Sequence, residues 1–382
     1  MPPTPSNAEP LEIAKHFSSL EDPRVVGRSS HPLLNVIVMA LVGVICGANG
    51  WEDIREIAVD RTDWFGRWLV MPNGVPSADT FRRVLGALRP EAFSACVASW
   101  VHSLAEPLNG QVVAFDGKTI RGALKRTPLG STLHQVHAWC KAQKLLLAHV
   151  GVAGAPEEID AARRLLATIE LRGAIVTGDA AHGCAETAQK IVEGGADYVL
   201  QVKANRAALY DAVTQFFETA TADNAPGVPL RHARTAEVVH GRSEVREAWS
   251  VAAAVVPLPG TAWAHLRSIT MIERTRETAE RRSTERHYYL SSLPPSVRKL
   301  MSAAREHWNI ENGLHWRLDV QMGEDACTIH DENAAQNFGT LRRIALMLLQ
   351  REPSLKRGIS ARREKAARNT SYLESVLRRG IP

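Results

Sequence analysis

Cysteine is scarce and scattered. The five residues Cys46, Cys96, Cys140, Cys184 and Cys327 are odd in number, lie far apart and include no CxxC pair, which excludes a disulfide framework and leaves reduced interior thiols of a cytoplasmic protein as the expectation. Aromatic residues make up only 6% of the chain, with no obvious platform for sugar rings, so a carboxylate-pair glycosidase is a weak reading. A basic-then-apolar leader is missing from MPPTPSNAEP, which gives no sign of export. Long hydrophobic runs are missing too: PLLNVIVMALVGVICGANG, from Pro32, is broken by Asn35. Its apolar stretch of about 16 to 18 residues is at the bottom of the range for a membrane span. A buried core helix is expected there, and no membrane partner. Neither an internal repeat nor a low-complexity segment is evident.

What is present is a globular chain of 382 residues, 45% hydrophobic, enough for one large domain with attachments or two to three smaller ones. The net charge of +5 is concentrated at one end, because residues 351–382 hold nine Lys or Arg against three acids. This basic C-terminal tail reads as a solvated helix or flexible end, or as an arm that neutralises phosphates. Residues 1–105 read as a helical N-terminal domain, with Pro32 opening one helix, Ser77 or Asp79 capping another and Pro90 marking the next boundary.

From residue 106 the pattern changes. QVVAFDG, LHQVHAWC and KLLLAHV read as three meandering strands, EEIDAARRLLATIEL as a helix, and RGAIVTGD and ADYVLQV as strands separated by a helix. That order predicts an α/β fold, a mixed sheet with flanking helices of the ribonuclease-H-like kind, over 106–350. Residues 220–295 return to strand alternation and read as a β-rich insertion or sheet extension.

Two strands end alike, VVAFDGK at Asp116 and AIVTGDAAHG at Asp179. Taken singly, an Asp after a strand is usually a turn or cap residue. If both strands are central neighbours, however, their ends project to the side of the sheet where ligands bind. Two carboxylates about 4 Å apart repel by roughly 4 kcal/mol at an effective dielectric of about 20, a cost that a divalent cation removes. In EHWNIENGLHW, Glu311 stands four residues after His307 and four before His315, so a single helix would align all three. With Glu311 as third carboxylate, oxygen ligands favour Mg²⁺ or Mn²⁺, two ions in all, in a site built for phosphoryl transfer.

The segments AFDGKTIRG, IVTGDAAHG, ADYVLQVKAN, YYLSSLP and HWNIENGLHWRLDVQMGEDACTIHDENAAQN, in that order, resemble the successive signatures of DDE insertion-sequence transposases, the closest group being the ISAs type that includes the H-repeat-associated proteins. PSADTFRRVL resembles the helical domain associated with that group, so the likeness spans roughly residues 10–350. It implies that Asp116, Asp179 and Glu311 form the catalytic, metal-holding triad, and that the β-rich block is the insertion between the second Asp and the Glu. Ala304, His307 and Leu318 stand where many relatives with this insertion carry Tyr, Arg and Lys, and GAPEE stands where most of the closer group have a KSNE-like segment.

Beyond the triad, Lys118 and Arg121 follow the first Asp, and Lys203 and Asn205 follow another strand, on the edge where they would position backbone phosphates; each reads equally as a surface residue. Trp308 is a candidate to stack on an extruded base, or a core residue. His182 would orient water or substrate or cap a helix, while His307 and His315 would steady the ligands around a hard ion rather than bind zinc. Asp319, Glu324 and Asp325 read first as a solvated acidic face. The partners implied are element-end and target double-stranded DNA and a second subunit, in a homodimer or higher oligomer. Two rival functions remain open at this stage: a metal-dependent nuclease on the same core, and an inactive DNA-binding relic.

Overall fold

Periodicity, caps and breakers point to helices ahead of the first strand, and described residues there form helices in the computed structural model. It describes residues 12–381 apart from 26, 28, 121–132, 153–156, 223–227, 240, 241, 261, 279 and 280. Among the described residues six helices precede the first strand: α1 (Glu12–Phe17), α2 (Leu33–Ile45), α3 (Trp51–Val59), α4 (Thr62–Phe65), α5 (Ala78–Ala87) and α6 (Pro90–Leu104). Ser77 caps α5 by accepting from the Thr80 amide, and Pro90 occupies the first turn of α6, where its missing N–H costs nothing. Residues 35–45 of α2 are buried, and Asn35 donates to the Val70 carbonyl at 2.8 Å, which accounts for the one amide in an apolar run. No single described helix is long and apolar enough to cross a membrane.

The chain is mixed α/β. Strands β1 (Val112–Ile120), β2 (Leu133–Cys140) and β3 (Leu145–Val152) form the meander, followed by α7 (Glu158–Leu166), β4 (Ile175–Gly178), α8 (Ala185–Glu193), β5 (Asp197–Val202) and α9 (Ala207–Ala222). Strands β6 (Arg231–Val239), β7 (Arg242–Ala252), β8 (Ser268–Glu277) and β9 (Arg282–Ser291) come next, then α10 (Val297–His307), α11 (Glu332–Arg351), α12 (Ile359–Arg368) and α13 (Thr370–Arg378). All nine described strands join one sheet in the order β3-β2-β1-β4-β5-β9-β8-β7-β6. Strands β1, β4 and β5 run parallel to one another and every other neighbouring pair is antiparallel. The β-rich block therefore extends the sheet, through pairing of β9 with β5 from Val199↔Ser291 to Val202↔Tyr288.

Side-chain alternation along the central strands assigns their faces. Val112, Ile175 and Val199 pack with Val297, Leu300 and Met301 of α10, whereas Val113, Val176 and Leu200 join the larger core that includes α7 and α8. That larger core runs without interruption into the N-terminal helices through α11, which is buried at nearly every position from Ala334 to Gln350.

Residues 351–382 read from the sequence as a tail; those of them that are described, up to Ile381, fold back over the N-terminal helices. Trp64 donates to Glu374 at 2.8 Å, Trp100 donates to the Gly380 carbonyl at 2.8 Å, and Arg61 donates to the Ala367 carbonyl. Buried Arg363 donates to the carbonyls of Gln321 at 2.7 Å and Val44 at 3.2 Å. Arg362 likewise donates to the carbonyls of Leu349 and Glu352, each at 2.6 Å, so basic residues of this segment are engaged with backbone carbonyls inside the fold.

Candidate active site

The parallel register of β1 and β4 ends at Phe115↔Gly178, so the residues that follow, Asp116 within β1 and Asp179 just past β4, stand side by side. By alternation both belong to the α10 face, the parity of Val112 and Ile175. One expectation needs correcting: Asp116 does not end its strand. β1 continues to Ile120, still paired with β2 through Asp116↔His137. What ends at Asp116 is the pairing with the shorter β4, and that opens the space in front of its carboxylate.

Both acids are fixed by short-range bonds. Asp116 Oδ1 accepts from the Gly117 amide at 3.0 Å, and Asp179 Oδ1 accepts from the Ala181 amide at 2.9 Å. Burial first, then the negative charges of Asp179, Glu311 and Glu158, pushes the Asp116 carboxyl up to about 7, against an opposing pull from His182. Such a crowd of acids is unfavourable until a cation joins it.

Glu311 is contributed differently from the sequence expectation. Helix α10 stops at His307, and Glu311–His315 and Arg317–Gln321 are π-helical, a local widening frequent at functional sites. The three polar heads consequently part company: Glu311 is exposed, whereas His307 and His315 are buried. His307 Nδ1 lies 3.2 Å from Thr177 Oγ1, and His315 Nδ1 lies 3.4 Å from Asp116 Oδ2. Burial holds both imidazoles low, at about 4 and about 3, so they flank the acids as neutral rings. Among the described residues no three His, Cys, Asp or Glu are close enough to share one ion; the acids are near enough to act on the Asp116 carboxyl, and Glu311 is the exposed one.

Several residues carry roles that the sequence did not suggest. Glu158, at the start of α7, lies 2.8 Å from His134 Nε2 and 3.0 Å from His182 Nε2. Burial raises its carboxyl, but these two imidazoles outweigh burial and hold it at about 2. His182, buried in this contact, is not the helix cap; Cys184 occupies that position. Gly117 makes the arrangement possible, since a Cβ there would sit 2.5 Å from both Glu158 Oε2 and His134 Nε2.

Lys118 departs from expectation most. Its ammonium is buried, 2.5 Å from Asp319, 3.1 Å from Glu324 and 3.4 Å from Asp325, so it neutralises these acids instead of facing a phosphate. Glu324 is fully buried, so this trio is no solvated face. Lys203 is exposed, and Asn205 ties its loop to the Asp179 loop by donating to the Ala180 carbonyl at 2.8 Å. Trp308 is half-buried beside His287 and the Arg274 guanidinium, each 6.0 Å from its ring. Arg121 lies outside the described residues.

Residues 107–348 match the transposase DDE domain family and residues 14–101 match the DDE_Tnp_1-associated family. The chain belongs to the DDE transposase family. Relatives include "Putative transposase YncI" of Escherichia coli O157:H7, 32% identical with 96% of this chain and 94% of the relative covered. The "H repeat-associated putative transposase YhhI" of Escherichia coli K12 is 30% identical, with 96% and 97% covered. These likenesses support a transposase function.

Asn309 and Asn312, on either side of Glu311 in the chain, help line a cleft of about 290 Å³ in this DDE transposase together with Arg242, Arg246, Arg274, Arg276, Arg305 and Trp308. Burial first, then neighbouring guanidinium groups, lowers the affinity of Arg246 and Arg276 for their protons, although Glu237 and Glu244 offset part of the charge. Sequence spacing holds little warning of this cleft, because its cations come from two strands and a helix.

Proposed function

We propose that this transposase cuts the ends of its mobile element and joins the freed 3′ hydroxyl to target DNA, at Asp116, Asp179 and Glu311 on a ribonuclease-H-like core. The observation that carries the reading is the side-by-side register of Asp116 and Asp179, with the Asp116 carboxyl raised by burial and by its acidic neighbours. The fit to a cation rests on the same chemistry: oxygen donors crowded by like charge, with Lys118, two residues after Asp116, already bound to other acids. Asp116, Asp179 and Glu311 would hold Mg²⁺ or Mn²⁺, two ions by analogy with other phosphoryl-transfer sites. When bound, these supply Lewis-acid activation of the attacking oxygen and stabilisation of the leaving one.

The chain's own residues do the rest. The amides of Gly117 and Ala181 orient the two aspartates, and neutral His307 and His315 exclude water behind them. The arginine cleft and Lys203 would track phosphates, with Trp308 as a stacking surface at its edge. Two DNA ends require two copies, so the working form is a dimer or larger.

Incubating the purified protein with its own flanking DNA and Mg²⁺ or Mn²⁺ tests this. Nicked and joined products are expected from the wild type, and from Asp116→Asn end binding alone. Cutting without joining identifies a nuclease, binding without cutting by the wild type an inactive relic, and cleavage retained by Asp116→Asn overturns the site.

A further inference from the structure

A buried polar chain leads from Asp116 away from solvent. His315 Nδ1 lies 3.4 Å from Asp116 Oδ2, and His315 Nε2 lies 3.1 Å from His137 Nδ1. His137 Nε2 in turn accepts from Arg343 Nε at 3.0 Å. Arg343 is ion-paired with Glu324 at 2.8 Å, and Glu324 with Lys118 at 3.1 Å. His137 and Glu324 are wholly buried and Arg343 is 2% exposed. Gly339 leaves room for the guanidinium, since a Cβ there would stand 2.7 Å from Arg343 Nη1.

The chemistry of these groups fixes every hydrogen in the chain. A guanidinium only donates, so the His137 nitrogen facing Arg343 must be the one without hydrogen. A His137 imidazolium, or the opposite tautomer, would set two N–H groups against each other in a buried site beside a cation. The His137 hydrogen is therefore on Nδ1 and points at His315. Facing a donor, His315 Nε2 must accept, which leaves the His315 hydrogen on Nδ1, directed at Asp116 Oδ2.

We propose that Arg343 and His137 are positioning residues that act through His315, setting its tautomer so that Asp116 always meets an N–H donor on its inner edge and keeps its outer edge for the reacting centre. This rests on the functional reading above only for its consequence; the tautomer order is a property of the protein alone. Partners of this kind typically govern about 10–100-fold in metal affinity or activity.

The test separates the two. In full-length protein carrying ¹⁵N-histidine, without metal or DNA, His137 and His315 are expected as neutral Nδ1–H tautomers, identified by the resonances missing from His137→Gln and His315→Gln. His137→Gln retains one acceptor for Arg343 and one donor for His315, whereas His137→Phe retains volume without either. Metal-dependent cleavage is expected to fall about 10–100-fold in His137→Phe and to return towards wild type in His137→Gln, with end-DNA binding unchanged in both. Equal cleavage by the two variants, or an Nε2–H tautomer at His315, overturns the proposal. If His137→Phe fails to fold, the tautomer spectrum and His137→Gln still decide. If the wild type cuts no DNA, the functional reading fails while the spectrum still judges the chain of tautomers.

Discussion

Asp116→Asn is expected to stabilise the metal-free protein while removing its cleavage activity. Burial and three neighbouring acids raise the Asp116 carboxyl from 3.8 to about 7, so the folded state holds a proton that the unfolded chain releases near 3.8. The associated stability is fully present below 3.8, declines as pH rises and is lost by about 7. At about 1.36 kcal/mol for each pH step, the loss reaches about 4 kcal/mol at neutral pH and above. Asparagine does not titrate. In thermal melts with chelator, the stability difference between Asp116→Asn and wild type should therefore grow from pH 4 to pH 7 and then level off, because contributions of groups that do not interact with Asp116 cancel in the difference. Mn²⁺ should raise the wild-type melting temperature more at pH 8 than at pH 5.5, and the variant's hardly at all. A difference that stays flat with pH, or an asparagine variant less stable than wild type at pH 8, would refute the electrostatic reasoning.

Lys118→Met should lower stability by about 3–5 kcal/mol in chemical denaturation, since it leaves buried Glu324 with Arg343 alone and Asp319 without its ammonium; unchanged stability with weakened DNA binding would instead restore Lys118 to a phosphate role. Gly117→Ala forces Glu158 and His134 aside, at about 1–3 kcal/mol by overpacking, so melting temperature and cleavage should both drop; a silent substitution would mean that the Glu158 cluster yields freely. Arg274→Ala with Arg246→Ala should weaken binding to DNA of any sequence and reduce the slope of log affinity against log salt by about one for each phosphate no longer neutralised, measurable by fluorescence anisotropy across a salt series. An unchanged slope would remove the arginine cleft from the DNA path.

The sequence revealed what local chemistry encodes. Ser77 and Pro90 announced their helices, and two apolar runs that each lead into an Asp pointed to Asp116 and Asp179 as a pair. What it could not reveal was set by contacts distant along the chain. The π-helical turns carrying Glu311 leave no trace in hydrophobic spacing, which is why a regular helix was expected to align His307, Glu311 and His315. Lys118 looked like a phosphate ligand because its three acids lie two hundred residues away. Glu158, His137 and Arg343 each resemble ordinary helix or strand residues until the sheet brings them behind the aspartates.

The closing helices have a temporal consequence. Trp64 and Trp100 find their hydrogen-bond partners at Glu374 and Gly380, so the opening helices gain these contacts only after residues 359–380 have been synthesised. A premature stop after residue 358 would then not trim an appendage: it would strip α12 and α13 from the opening helices, and the nascent product should be recognised by proteases as unfinished.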